Sequence, residues 1–150
     1  MSSDIKVRDA SDADVELIWG LARDLAIFEE LESTFVASIE DFREAMFGAE
    51  GPAKVIIAEI NGEPVGMALF VMTFSTFLGK SGIWLEDLFV SPQARRRGVA
   101  RALLGELRRR SPGRVEFEVL EWNQGAIDLY NQAGASPQSG WIKYRMQPGS

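Results

Sequence analysis

The 150-residue chain has no cysteine and no histidine. The first absence excludes a disulfide framework, a thiolate nucleophile and a cysteine-bound zinc. The second excludes a Ser-His-Asp triad and any imidazole base. Acid–base chemistry therefore falls to carboxylates, tyrosine, lysine or ordered water, and no metal is expected. Also missing is an apolar run long enough to span a bilayer, and the first twenty residues are polar and acidic, unlike a secretory signal. A cytoplasmic protein with no membrane partner is the expectation. Positive charge is in short supply: formal net charge is −6 and the isoelectric point about 4.8. That balance speaks against a nucleic-acid partner and weakly favours small cationic substrates. What remains, 46% hydrophobic and 25% charged residues, suits one soluble domain over residues 1–150 with a sizeable core.

Ile5 to Arg8 alternates as a short first strand. Ser11 and Asp14 form a capping-box variant that predicts a helix to about Phe28, with Val15, Ile18, Trp19, Ala22, Leu25 and Ala26 on its core stripe. Ser38 and Asp41 predict a second helix, stopped by Gly48. A strand from Lys54 to Ile60, the turn pair Asn61-Gly62 and a returning strand from Pro64 to Ser75 read as a hairpin. After a loop over Gly79 to Gly82 comes a strand over 83–90 and a helix over 98–110, ended by Ser111-Pro112-Gly113. Arg114 to Leu120 alternates as a strand, with Val115, Phe117 and Val119 on one face. A short helix from Ala126 to Ala133, closed by Gly134, and a last strand from Trp141 to Met146 complete an α/β pattern: a central mixed sheet flanked by helices.

The stretch Ile83 to Arg101 carries the most chemistry. An apolar strand with two adjacent acids, Glu86 and Asp87, enters a Ser-Pro turn, then Arg95-Arg96-Arg97-Gly98 and an amphipathic helix. A helix start already has partial positive charge and unpaired N–H groups, so three arginines there oppose helix stability. A bound anion turns that conflict into a site, and Gly98 lets backbone approach a phosphate closely. A solvated turn is the plainer alternative. Strict alternation puts Glu86 and Asp87 on opposite faces of the sheet, with structural and functional roles evenly balanced for Asp87.

Arg95-x-x-Gly98-x-Ala100 at the head of a helix resembles the acyl-CoA pyrophosphate motif of the GNAT (Gcn5-related) N-acetyltransferases. Leu85-Glu86-Asp87-Leu88-Phe89-Val90, Glu121-Trp122-Asn123, Tyr130, Gly134-Ala135-Ser136 and Gly140-Trp141 resemble its diamine (spermidine/spermine) and thialysine acetyltransferase branch. The resemblance runs from Ile5 to about Tyr144. It implies the GNAT fold and direct acetyl transfer from acetyl-CoA to a primary amine of a small molecule, a diamine, polyamine or lysine-like amine, with no covalent enzyme intermediate. It further implies that backbone of Leu88, Phe89 and Val90 pairs with the pantetheine arm. Arg95 and the N–H groups of Arg96, Arg97, Gly98, Val99, Ala100 and Arg101 would hold the pyrophosphate, and Asn123 would touch the cofactor arm.

By the same resemblance Tyr130 is the general acid, beside the cofactor, and Glu86 accepts the amine proton. Phe28 and Glu29, with Glu86, would bind the amine, and the protein would be a homodimer. Taken without the resemblance, Tyr130 reads as a half-buried core tyrosine, Phe28-Glu29 as a helix end with a solvated acid, and Arg108 to Arg110 as cations suited to a helix C-terminus. Two other functions stay open: a non-catalytic acyl-CoA-binding module on the same fold, and acetylation of protein lysines or N-termini. The branch carries acids before its Gly-Trp, where this chain has neutral Pro137-Gln138-Ser139. A short or lysine-like amine is therefore expected to be preferred over spermine.

Overall fold

The computed structural model describes residues 4–149. Five strands lie in the order β1-β2-β3-β4-β5: β1 (Ile5–Asp9), β2 (Ala53–Ile60), β3 (Glu63–Ser75), β4 (Lys80–Val90) and β5 (Val115–Glu116). The first four pair antiparallel and β5 joins β4 in parallel, so the sheet is mixed, as the pattern of elements predicts. The helices are α1 (Val15–Phe28), α2 (Ile39–Phe47), α3 (Val99–Arg110) and α4 (Gln124–Gln132).

Local chemistry accounts for most boundaries. The Asp14 carboxylate accepts the Ser11 N–H at 2.7 Å across the tight turn Asp12–Asp14 that leads into α1, and the Asp41 N–H donates to Ser38 Oγ at 3.0 Å, so α2 begins where its cap stands. Asn61 and Gly62 both have positive φ, 54° and 79°, which matches the twist of the β2–β3 hairpin. Gly82 lies inside β4 rather than in a loop. A Cβ there would come within 2.7 Å of the Arg114 carbonyl, so only glycine lets β5 approach.

The sheet is covered on both faces. Ile56, Ala58, Ala68, Phe70, Ile83 and Leu85 pack with Val99, Leu103 and Leu107 of α3. On the other face Val55, Ile57, Met67 and Phe89 pack with Ile18, Leu21 and Ala22 of α1 and with Phe42 and Met46 of α2. Arg8 ties the edge to this core, donating to Asp14 at 2.8 Å and to Glu59 at 3.0 Å.

Two expected strands differ. The strand expected over Arg114 to Leu120 pairs only at Val115 and Glu116, and Trp141 to Met146 forms no ladder. Alternating sequence supplies two faces but not a neighbour for the backbone, and these segments lack one. The helix expected from Ala126 begins at Gln124, because Asn123 Oδ1 accepts the Ala126 N–H at 3.2 Å and acts as its cap.

Candidate active site

The site is organised by an irregularity in β4. Asp87 sits opposite Leu69 and Leu85 opposite Phe70, so Glu86 is an extra residue with no counterpart on β3. Such a bulge breaks strict alternation. Leu85 and Leu88 both pack on the α3 side, which leaves Glu86 and Asp87 together on the α1 side. The expectation of opposite faces is corrected accordingly: one inserted residue shifts the facing of all that follow.

Glu86 is exposed and accepts the Trp84 indole N–H at 2.9 Å. Asp87 is more enclosed. Burial, then the charges of Glu86 and Glu29, push its carboxyl up from 3.8 to about 6. Glu29, at the C-terminal end of α1, is also raised by burial. The Tyr130 phenol is raised by burial and then by the Glu29 charge, and its ring lies 4.5 Å from that of Phe117. Glu29, Glu86, Asp87 and Tyr130, drawn from α1, β4 and α4, thus share one electrostatic neighbourhood. Asp87 is the member that residue-level reading left undecided. Its signal was an acid, beside another acid, within a largely apolar strand.

Aromatic groups border the acids. The Phe28 and Trp122 rings lie 6.0 Å apart, and the Arg95 guanidinium sits 5.1 Å from the Phe28 ring and 5.5 Å from that of Phe89. Arg95 Nε also donates to the Val90 carbonyl at 3.2 Å. The side chain is therefore spread over the α1-side aromatics. Trp122 is half-exposed at this border.

Beyond Trp84, β4 has no partner on its β5 side, which leaves the edge at Leu88, Phe89 and Val90 open. The chain then enters α3 through two left-handed residues, Arg96 at φ 63° and Gly98 at φ 85°. The first α3 backbone bond runs from the Ala102 N–H to the Gly98 carbonyl at 3.0 Å. Earlier N–H groups of the turn have no partner within the helix. Around Gly98 a Cβ would meet only Ile5 Cδ1, at 3.8 Å, so the approach is clear. An open strand edge feeding a helix N-terminus fits a long anionic ligand with a peptide-like arm. Among the described residues no cluster of three or more acids suits a metal ion.

The open edge of β4 thus leads into a helix N-terminus, and the same strand carries Glu86 and Asp87 of the acid cluster. Residues 22–135 match the Acetyltransferase (GNAT) family, and the chain belongs to that family, whose acetyl donor is acetyl-CoA. It is 36% identical over 138 residues to the thialysine N-epsilon-acetyltransferase of Caenorhabditis elegans, covering 87% of this chain and 84% of that protein. The L-ornithine N5-acetyltransferase of Arabidopsis thaliana is 25% identical over 190 residues, covering 94% and 83%. Among solved structures, an integron cassette protein from the Vibrio cholerae mobile metagenome superposes with a TM-score of 0.78. It is 22% identical and covers 99% of this chain and 94% of its own. Aminoglycoside N-acetyltransferase AAC(6')-Iy in complex with CoA gives 0.73 at 19% identity, covering 99% and 98%. Both structures bear on the fold alone.

Proposed function

We propose that this acetyltransferase works on the primary amine of a small lysine-like molecule, such as thialysine, lysine or ornithine, as a single domain over residues 1–150. The observation that carries the reading is the convergence of Glu29, Glu86 and Asp87 beside Tyr130. Three carboxylates suit an ammonium, and the names of the thialysine and ornithine acetyltransferase relatives point to the same substrate chemistry.

Acetyl-CoA supplies the activated acetyl group. Backbone of Leu88, Phe89 and Val90 would hold its arm, and the N–H groups of Arg96 to Arg101 its pyrophosphate. Arg95 would swing from Phe28 to add charge, and Asn123 would flank the arm while capping α4. Phe28 and Glu29 hold the amine. An alkylammonium must lose a proton before its nitrogen can attack. Glu86 stands at the wet side of the site to accept that proton through water. Asp87, held near 6, is ionised at neutral pH yet basic enough to share the task. Tyr130, raised above its ordinary value, keeps its proton at neutral pH and can give it to the departing sulfur. The protein would act in the cytoplasm as a homodimer.

The test is release of free CoA across a panel of thialysine, lysine, ornithine, spermidine and spermine. Thialysine or lysine should give the highest kcat/KM. The neutral Pro137-Gln138-Ser139 segment lacks the second acid that a distal ammonium needs, a loss of about 1.5–3 kcal/mol. Spermine as the best substrate would overturn the substrate reading. No turnover with any amine would favour the non-catalytic binding module.

A further inference from the structure

Arg95 makes three contacts, and each lies on a surface that one of the proposed ligands needs. Its guanidinium carbon is 5.1 Å from the centre of the Phe28 ring and 5.5 Å from that of Phe89. Its Nε donates to the Val90 carbonyl at 3.2 Å. The Ser91 N–H donates to the Val65 carbonyl on β3 at 2.8 Å. One planar trans peptide joins Val90 to Ser91, so its carbonyl and N–H point opposite ways. The Val90 carbonyl therefore points away from β3, onto the open edge. Arg95 thus occupies the last acceptor of β4 that a peptide-like cofactor arm could use.

The two rings also mark out a place for a cation. Phe28 is followed by Glu29, whose charge acts on both Asp87 and Tyr130. Phe89 packs on the α1 side of the sheet, two residues beyond Asp87 on the same strand. A positive group between these rings is held by their electron-rich faces and borders three carboxylates. In the structure that group is the Arg95 guanidinium. Its hold is weak, because a cation on an exposed ring gains little. Phosphate oxygens accept from a guanidinium through stronger, charge-assisted bonds. A pyrophosphate at the N-terminus of α3, three residues further on, therefore outcompetes the rings for Arg95.

We infer that Arg95 is a built-in stand-in for the substrate ammonium. It fills the place between Phe28 and Phe89 and leaves it for the cofactor's phosphates, so that one side chain couples cofactor binding to amine binding. The inference rests on the cofactor and amine placement proposed above. Coupling of this kind is reciprocal: whatever loosens Arg95 from the rings favours both ligands.

Calorimetric titration of CoA into the full chain tests the exchange without any amine. Phe28→Leu removes one ring from the place, and Phe28 is 42% exposed, so the core is untouched. This variant should bind CoA about two- to fivefold more tightly than wild type, the scale of one exposed cation–π contact. In an Arg95→Met background the same substitution should leave CoA affinity unchanged. No tightening, or equal tightening in both backgrounds, overturns the inference. Titration of thialysine reads the other half. Wild type should bind it about fivefold or more tightly with saturating CoA than without. Arg95→Met should bring that ratio close to unity. Arg96→Met, which removes the same charge one residue along, should keep it. A wild-type ratio of unity overturns the coupling, and so do two methionine variants that behave alike. If thialysine binds no chain in either condition while the Phe28–Arg95 dependence holds, the lysine-like substrate is wrong and the exchange of Arg95 stands.

Discussion

Residues 4–110 and residues 111–149 are built to different standards. The first region holds β1 to β4 and α1 to α3 and contains every buried residue, the last being Leu107. The second holds β5, α4 and the C-terminal arm, and none of its described residues is buried. Yet Tyr130 and Asn123 belong to the second region, while Glu86, Asp87 and Glu29 belong to the first. The buried core thus sits in one part, and the proposed site draws on both. Thin packing is the usual condition of elements that must open for ligands.

The sharpest way to break this division is Tyr130→Phe. It should lower kcat by roughly 10²–10⁴-fold, the range for a lost general acid, while leaving the urea midpoint unchanged. A folded variant with wild-type kcat would remove Tyr130 from the proton route. The converse change is Leu103→Ala in α3, where the side chain is fully buried. It should cost about 2–5 kcal/mol by urea denaturation, with kcat of the folded fraction kept. Leu129→Ala in half-exposed α4 should cost clearly less. Equal losses would show that the second region is packed as tightly as the first.

Two acids of the first region answer to pH in opposite senses. Asp87 is raised to about 6 when folded, so its contribution is favourable below about pH 4 and is lost as pH climbs through 6. Asp87→Asn should therefore raise stability at pH 7–8 by about 2–3 kcal/mol and change little at pH 4, while lowering turnover. Asp14 runs the other way. The Arg8 hydrogen bond holds it down at about 2, so its contribution is present above pH 4 and lost as pH falls through 2. Thermal melts across pH would check both slopes. Smallest should be Gly98→Ala. A residue with a Cβ at φ 85° costs about 1–2 kcal/mol, and calorimetry should register weaker CoA binding. Unchanged CoA affinity would place the phosphate elsewhere.

The first region was largely legible from its residues. Ser38-Asp41, Asn61-Gly62 and Gly98 are local signals, and each marks a boundary because the chemistry lies within a few residues. The Glu86 bulge was not legible, since nothing local distinguishes an inserted residue from regular alternation. The stacking of Arg95 on Phe28 joins residues distant in sequence, so only the folded chain reveals it. The short β5 and the unpaired arm were over-read for a related reason. Alternation in Arg114 to Leu120 and in Trp141 to Met146 reports faces, whereas a ladder requires a partner strand. At the candidate site, Glu86 and Asp87 share a face only because of the bulge, and the Glu29 charge reaches both Asp87 and Tyr130 across elements distant in sequence.

The bond from the Trp84 indole to Glu86 has an optical consequence. Indole emission shifts with the charge and hydration of its hydrogen-bond partner, and Glu86 is the carboxylate proposed to meet the amine. On that proposal the chain carries a native fluorophore bonded to its substrate carboxylate. Trp19 is bonded to the Ala37 carbonyl, away from that position, so a chain retaining only Trp19 and Trp84 would turn amine arrival into a colour change without an added dye.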